Sequence, residues 1–214
     1  MAMLTIEVEY LTGVVRAGND RGDAPDWPPQ PDRLFSAFAA TWAARGENVA
    51  ERKALEWLER QPPPRIYASS ASCRTLVTSF VPPGDFELPR SDLHTLRWYT
   101  AWTRGKALSP SQKKERERAL GVVPSFRAAQ RQPRQFPACI PDDPVVRLVW
   151  GASPEPAIFD ALAALARDTS YLGHSSSLVR CFVTQATAIP PATAVCPRRA
   201  PYPGLLKQLV AAAK

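Results

Sequence analysis

The polarity pattern is clearest at the start of the chain. In MLTIEVEYL, residues 3–11, Leu4, Ile6, Val8 and Tyr10 alternate with Thr5, Glu7 and Glu9, the period-two pattern of a strand with one buried face. The period then changes. After a loop rich in Gly, Asp and Pro, Pro31-Asp32 opens a segment in which Leu34, Phe35, Phe38, Ala39 and Trp42 recur at helical spacing and form one apolar face. Gly46 is its stop. A second helix over about 50–60 carries Leu55 and Leu58 and ends before the triple proline 62–64, because proline cannot continue a helix. Residues 65–69 read as a short strand and 74–81 as a stronger one.

Residues 82–144 show no sustained core pattern. They include Trp98, Trp102 and a charged helical piece, SPSQKKERERAL, with a serine cap at Ser109 or Ser111. A stretch this long inside one domain argues for a functional insertion rather than a plain loop. Pattern returns with a strand at 144–150, an amphipathic helix at 154–167 with Ile158, Phe159, Leu162 and Leu165 inward, the turn SYLGHSSS, and a last strand at 178–188. A Pro-rich segment then leads to a short apolar tail, LLKQLVAAA. The order β-α-β-[insert]-β-α-β predicts an α+β fold of the ferredoxin-like type, with a long basic insertion between the second and third strands. Two helices on one face of four strands leave the other face open to a ligand, as in many RNA-binding modules.

Charge sharpens this picture. The chain of 214 residues carries a net +7, yet ten Lys/Arg and two Glu fall between Arg97 and Arg134. That window holds more than the whole excess, so the remainder is close to neutral. A local cationic patch is the electrostatic footprint of a nucleic-acid binder; a solvated basic face is the other reading. Trp98, Tyr99, Trp102, Phe126 and Phe136 interleave with the cations Arg97, Arg104, Lys106, Lys113, Lys114, Arg127, Arg131 and Arg134. Cations neutralise phosphates while aromatics stack on unpaired bases, or else the aromatics pack the insertion against the core. Prolines at 133, 137, 141 and 144 hold the segment around Arg131 and Arg134 extended.

Groups for catalysis are sparse. The two histidines are His94, with Tyr99 and Lys106 nearby in sequence, and His174 in the SYLGHSSS turn. A histidine with a positioned Tyr or Lys could activate a ribose 2′-OH. Gly173, His174, Ser175, Ser176 and Ser177 read either as a phosphate-holding turn with exposed N–H groups or as a helix-to-strand connection. Asp20, Asp23 and Asp26 share one loop, but their spacing matches no calcium loop, and Arg16 and Arg21 point to a salt-bridged structural loop. Cys73, Cys139, Cys181 and Cys196 form no CxxC pair, so neither metal nor cofactor is expected. No apolar run suits a membrane span. The expectation is a reduced, cytoplasmic protein whose cysteines mostly fill the core.

Five segments, LTIEVEYLTG, NDRG…PDWPPQPDRLFSAF, ALEWLERQPPPRIYAS, RQPRQFPACIPDDPVV and YLGHSSSLV, together resemble the N-terminal half of the fused subunit of type I-G (formerly I-U) CRISPR systems. That subunit joins a Cas-five-like to a Cas-six-like domain, both of the RAMP superfamily. The resemblance implies a Cascade subunit that binds the crRNA 5′ handle and caps one end of the backbone filament in antiviral defence. Its partners would be crRNA, the backbone subunits, the large subunit and, indirectly, target DNA. It implies a RAMP domain over 1–190 with a thumb-like insertion at about 82–144 that grips RNA, and a linker, 191–214, leading to a second RAMP domain outside this chain. RNA contacts are then expected at Arg131 and Arg134 with Arg127 beside them, joined by Arg97, Arg104 and Lys106 of the cationic track. The handle would meet Gly173, His174, Ser175 and Ser176. Processing chemistry would belong to the second domain, so no catalytic residue is expected here. The alternative is a metal-independent endoribonuclease that processes pre-crRNA.

Overall fold

Strand β1 (Met3–Tyr10) lies between two antiparallel neighbours, β7 (Val145–Trp150) and β8 (Val179–Ala186), with Ile6 opposite Leu148 on one side and Val183 on the other. β7 in turn pairs with β2 (Arg65–Tyr67), which pairs with β9 (Ala194–Val195). The sheet order is therefore β8-β1-β7-β2-β9. Two smaller ladders complete the strands. β3 (Ala71–Cys73) pairs with β6 (Cys139–Pro141), and β4 (Thr78–Val81) pairs with β5 (Gln132–Gln135). The computed structural model describes residues 3–19, 22, 24–74, 78–81, 109–114, 132–135, 137–187, 194–195 and 197–213. They divide into one unit of Met1–Leu76 with Phe136–Lys214 and a second of Val77–Gln135.

The alternation in β1 does what the pattern predicts. Leu4, Ile6, Val8 and Tyr10 are fully buried and join one core with Leu34, Phe35, Phe38 and Trp42 of α1 (Pro31–Ala44), Leu55 and Leu58 of α2 (Val49–Leu58), and Leu162 and Leu165 of α3 (Pro156–Asp168). Pro31 sits at the first turn of α1, where its missing N–H costs nothing. Asn48 caps α2 through its side chain, accepting from the Ala50 N–H at 2.8 Å. Gly46, at φ +86°, ends α1. Just before it, Arg45 pairs with both Glu51 and Asp168, which ties α1 to α2 and α3.

The structure departs from the pattern in three places. Of the strand expected over 74–81, the described part is β4 at Thr78–Val81; Arg74 is not in a strand, residues 75–77 lie outside the described residues, and a separate strand, β3, precedes them at Ala71–Cys73. β6 lies within 82–144, the stretch without a core pattern, yet its Cys139 is fully buried. The apolar tail is a helix, α4 (Leu205–Ala212). Its N-terminal N–H groups at Gly204 and Leu206 donate to the buried Glu59 carboxylate at 3.0 and 2.9 Å. Among the described residues, no helix is long and apolar enough to cross a membrane.

Candidate nucleic-acid interface

The SYLGHSSS turn connects α3 to β8. It is closed at its base by a bridge between Tyr171 and Leu178 and braced inside by its own polar groups. The Ser177 N–H donates to the His174 carbonyl at 2.8 Å, and the Leu172 N–H to the Ser177 carbonyl at 3.1 Å. The Ser176 N–H is aimed at His174 Nδ1 at 3.2 Å. Ser176 Oγ lies 2.8 Å from the same ring nitrogen. Ser177 is fully buried, and its Oγ accepts from the Arg16 N–H at 2.8 Å. Two of the turn's N–H groups, at Ser176 and Ser177, are thus turned inward rather than toward a ligand. Tyr171, His174 and Ser175 are exposed.

Gly173 is required where it stands. Its φ is +83°, and a Cβ there would lie 2.9 Å from the Ala17 Cβ and 3.3 Å from Arg33 Nη1. The turn therefore rests directly on the loop after β1 and on the first turn of α1.

Beside it lies a feature the sequence did not disclose. Asp26 is 2% exposed and meets three arginines: Arg33 Nε at 3.0 Å, Arg198 at 3.2 Å and Arg199 at 2.9 Å. Arg199 also approaches Asp32 at 3.2 Å. The Gln30 carbonyl oxygen, Oε1, accepts the N–H groups of Arg198 and Arg199 at 2.8 and 3.2 Å. Burial pushes the Asp32 carboxyl above its ordinary range, against the opposing pull of the Arg33 N–H and guanidinium. The salt-bridged loop read from the sequence is present at Asp26, whose partners among the described residues are these three arginines and not Arg16. Asp20, Arg21 and Asp23 lie outside the described residues. Among the described residues the node sets three arginines against two carboxylates, and Arg198 carries its guanidinium largely in solvent, at 67% exposure. Only the pair in Pro197-Arg198-Arg199 hinted at this. Its partner, Asp26, is too far along the chain for spacing to reveal.

The sheet face away from the helices carries two ion pairs where it is described, and Arg65, exposed opposite Val149, adds a further cation. Glu7 pairs with Arg147 at 2.8 Å and Glu9 with Arg180 at 2.7 Å. The Arg180 guanidinium also lies 5.4 Å from the Phe182 ring centre. That face offers a single exposed aromatic, Phe182, among the described residues.

Of the insertion cations, Arg97, Arg104, Lys106, Arg127 and Arg131 lie outside the described residues, as does His94. Arg134 lies in β5, opposite Ser79 of β4. The helical stretch at 110–114 is capped as SPSQ predicts. The Gln112 N–H donates to Ser109 Oγ at 3.3 Å, and the Ser109 N–H to Gln112 Oε1 at 3.0 Å, which is a capping box. Lys113 and Lys114 on that helix are exposed. Among the described residues no cluster of His, Cys, Asp or Glu is arranged to hold a metal ion.

Residues 3–211 match the CRISPR-associated protein, GSU0054 family. No curated protein matches the chain. A solved structure, described as the crystal structure of a CRISPR protein from Archaeoglobus fulgidus, aligns at 15% identity and a TM-score of 0.37 over 87% of this chain. The chain spans 62% of that protein's length.

Proposed function

This chain belongs to the CRISPR-associated GSU0054 family, and from that premise we propose that it is the crRNA-binding, Cas-five-like part of a type I-G Cascade subunit. It holds the 5′ handle of the crRNA at one end of the backbone filament. The observation that carries this reading is the charge distribution: the excess of the whole chain, +7, is exceeded by the single window from Arg97 to Arg134. A protein that needed cations only for solubility would spread them. Those cations belong to the proposed thumb-like insertion, with Arg97, Arg104, Lys106, Arg127, Arg131 and Arg134 on RNA phosphates.

Two further features support the reading. The antiparallel order β8-β1-β7-β2, with helices α1 and α3 in the two crossovers, is the order of a ferredoxin-like sheet, and ferredoxin-like domains build RAMP proteins. The exposed stretch Gly173–Ser175, beside the node where Arg198 reaches solvent, suits a handle phosphate, with Tyr171 available for stacking.

The test is binding of a labelled crRNA-repeat RNA across a salt series, with a variant carrying Arg127→Ala, Arg131→Ala and Arg134→Ala. Taking away one cation that neutralises a phosphate of single-stranded RNA lowers the log–log salt slope by roughly 0.7, so the triple variant should lose about 2 from the slope as well as affinity. Equal affinity and slope in the two proteins would remove the RNA from these arginines. Absence of wild-type binding at every salt concentration would overturn the reading for the isolated chain.

A further inference from the structure

We propose that Cys73 and Cys139 are a redox-modification site, closing reversibly into a cross-strand disulfide. The argument starts from register. In the β3–β6 ladder Cys73 stands directly opposite Cys139, so both side chains leave the same face. The flanking bonds say which kind of pair this is. The Arg74 N–H donates to the Ala138 carbonyl and the Asp142 N–H to the Ser70 carbonyl, so those are the hydrogen-bonded pairs and Cys73–Cys139 lies between them. Cys139 spends its own N–H and carbonyl on Val15, at 3.0 and 2.9 Å, on the other side of β6. Cys73 and Cys139 are therefore a non-hydrogen-bonded pair, for which α-carbons approach to about 4.5 Å. A disulfide needs about 4.4–6.8 Å between α-carbons.

The chemical environment agrees. Cys139 is fully buried and Cys73 exposed. The Cys139 thiol is pushed up to about 11, first by burial and then by the neighbouring Cys73 sulfur, an electrostatic sign of the same proximity. Cys73 is thus the entry thiol and Cys139 the resolving one. With a low-molecular-weight disulfide as oxidant, the Cys73 thiolate attacks one of its sulfurs, forming a mixed disulfide and releasing one thiol. The Cys139 sulfur, giving up its proton, then attacks Cys73 Sγ and releases the second thiol. Two protein S–H bonds are lost, one S–S bond forms, and the oxidant is reduced to two thiols. Strained or exposed disulfides are the labile, regulatory kind, and β3 ends its two-stranded ladder.

The consequence follows from chain order. The two cysteines bracket the whole 77–135 unit in sequence, so the bond would close covalently the loop that carries the insertion arginines. The proposal itself does not depend on RNA binding.

The experiment uses the full chain, incubated with oxidised glutathione, then denatured, alkylated and mapped by mass spectrometry. The chain has four cysteines; alkylation should fall from four thiols to two, with a peptide joining Cys73 to Cys139, and dithiothreitol should restore all four. Cys73→Ser, at an exposed position, keeps its three remaining thiols throughout. Retention of all four thiols in the wild type would overturn the proposal. So would a glutathione adduct that stays on Cys73 while Cys139 remains alkylatable, or a link from Cys73 to Cys181, to Cys196 or to a second chain.

Discussion

Asp26 and Arg199, 173 positions apart in the chain, meet at 2.9 Å. Asp26 is 2% exposed, whereas Arg33, Arg198 and Arg199 are 24%, 67% and 29% exposed. The carboxylate is the buried hub and the guanidinium groups reach water. Removing the hub leaves cations that can still hydrate, so Asp26→Ala should cost about 1–3 kcal/mol, the range for losing a buried hydrogen-bonded partner, rather than the larger penalty of a stranded buried charge. Arg198→Ala should cost about 0–1 kcal/mol, as for an exposed ion pair. Urea unfolding of the two variants checks the order, and a larger loss for Arg198→Ala would sink it.

Gly173 makes a separate prediction. An L-residue in the left-handed region costs roughly 1–2 kcal/mol, and the added methyl would press on the Ala17 Cβ at 2.9 Å. Gly173→Ala should lower the unfolding free energy by about 2 kcal/mol and loosen the turn against Arg33. Gly151→Ala is the control, since nothing lies within 4 Å of a Cβ there. Equal stabilities for the two variants would show that the turn does not need its glycine.

The contrast between these positions explains how far the sequence could be read. β1, α1, α2, β7, α3, β8 and the Ser109 cap are set by local periodicity or by caps a few residues long, so their signals lie within one window. β9 has two residues and β3 and β6 have three each, too few to show a period. Their ladders join residues as distant as Ile66 and Val195. The Asp26 node is of the same kind: its chemistry was visible as three aspartates in a loop, but its arginines arrive from α1 and from the segment before α4. The Gly173–Ser176 turn was legible as a turn. The inward bonding of Ser176 and Ser177 was not, because it depends on how the loop closes.

Glu59 tests the docking of α4. Its carboxylate accepts the Gly204 and Leu206 N–H groups, the donors a helix leaves unpaired at its start. A negative charge there also opposes the positive end of the helix. Glu59→Gln keeps the shape and one acceptor but removes the charge, so it should cost about 1 kcal/mol, concentrated in α4. Hydrogen exchange is the measurement. Amides of 204–212 should exchange severalfold faster while β1 and β7 are unchanged. Unaltered protection of α4 would mean that Leu206, buried against the core, holds the helix by itself.

Two buried thiols give the fold an alkaline limit. Burial raises Cys139 to about 11 and Cys181 to about 12, from an ordinary 9.0. As pH climbs past 9, the unfolded chain loses these protons first while the native chain keeps them. Their contribution to stability is therefore complete below pH 9 and is lost on the way to 11 and 12, at up to about 1.4 kcal/mol per pH unit for each thiol. Tyr10, whose phenol is also raised by burial from 10.0, adds to the loss only from pH 10 upward, so the interval from 9 to 10 belongs to the thiols. Urea midpoints measured under reductant between pH 8 and 10 should fall more steeply for the wild type than for Cys181→Ala, whatever the offset between the two curves from the small cavity. Parallel curves would mean that the Cys181 thiol ionises as readily in the native sheet as in the unfolded chain, and that β8 opens to solvent at Cys181 well below global unfolding.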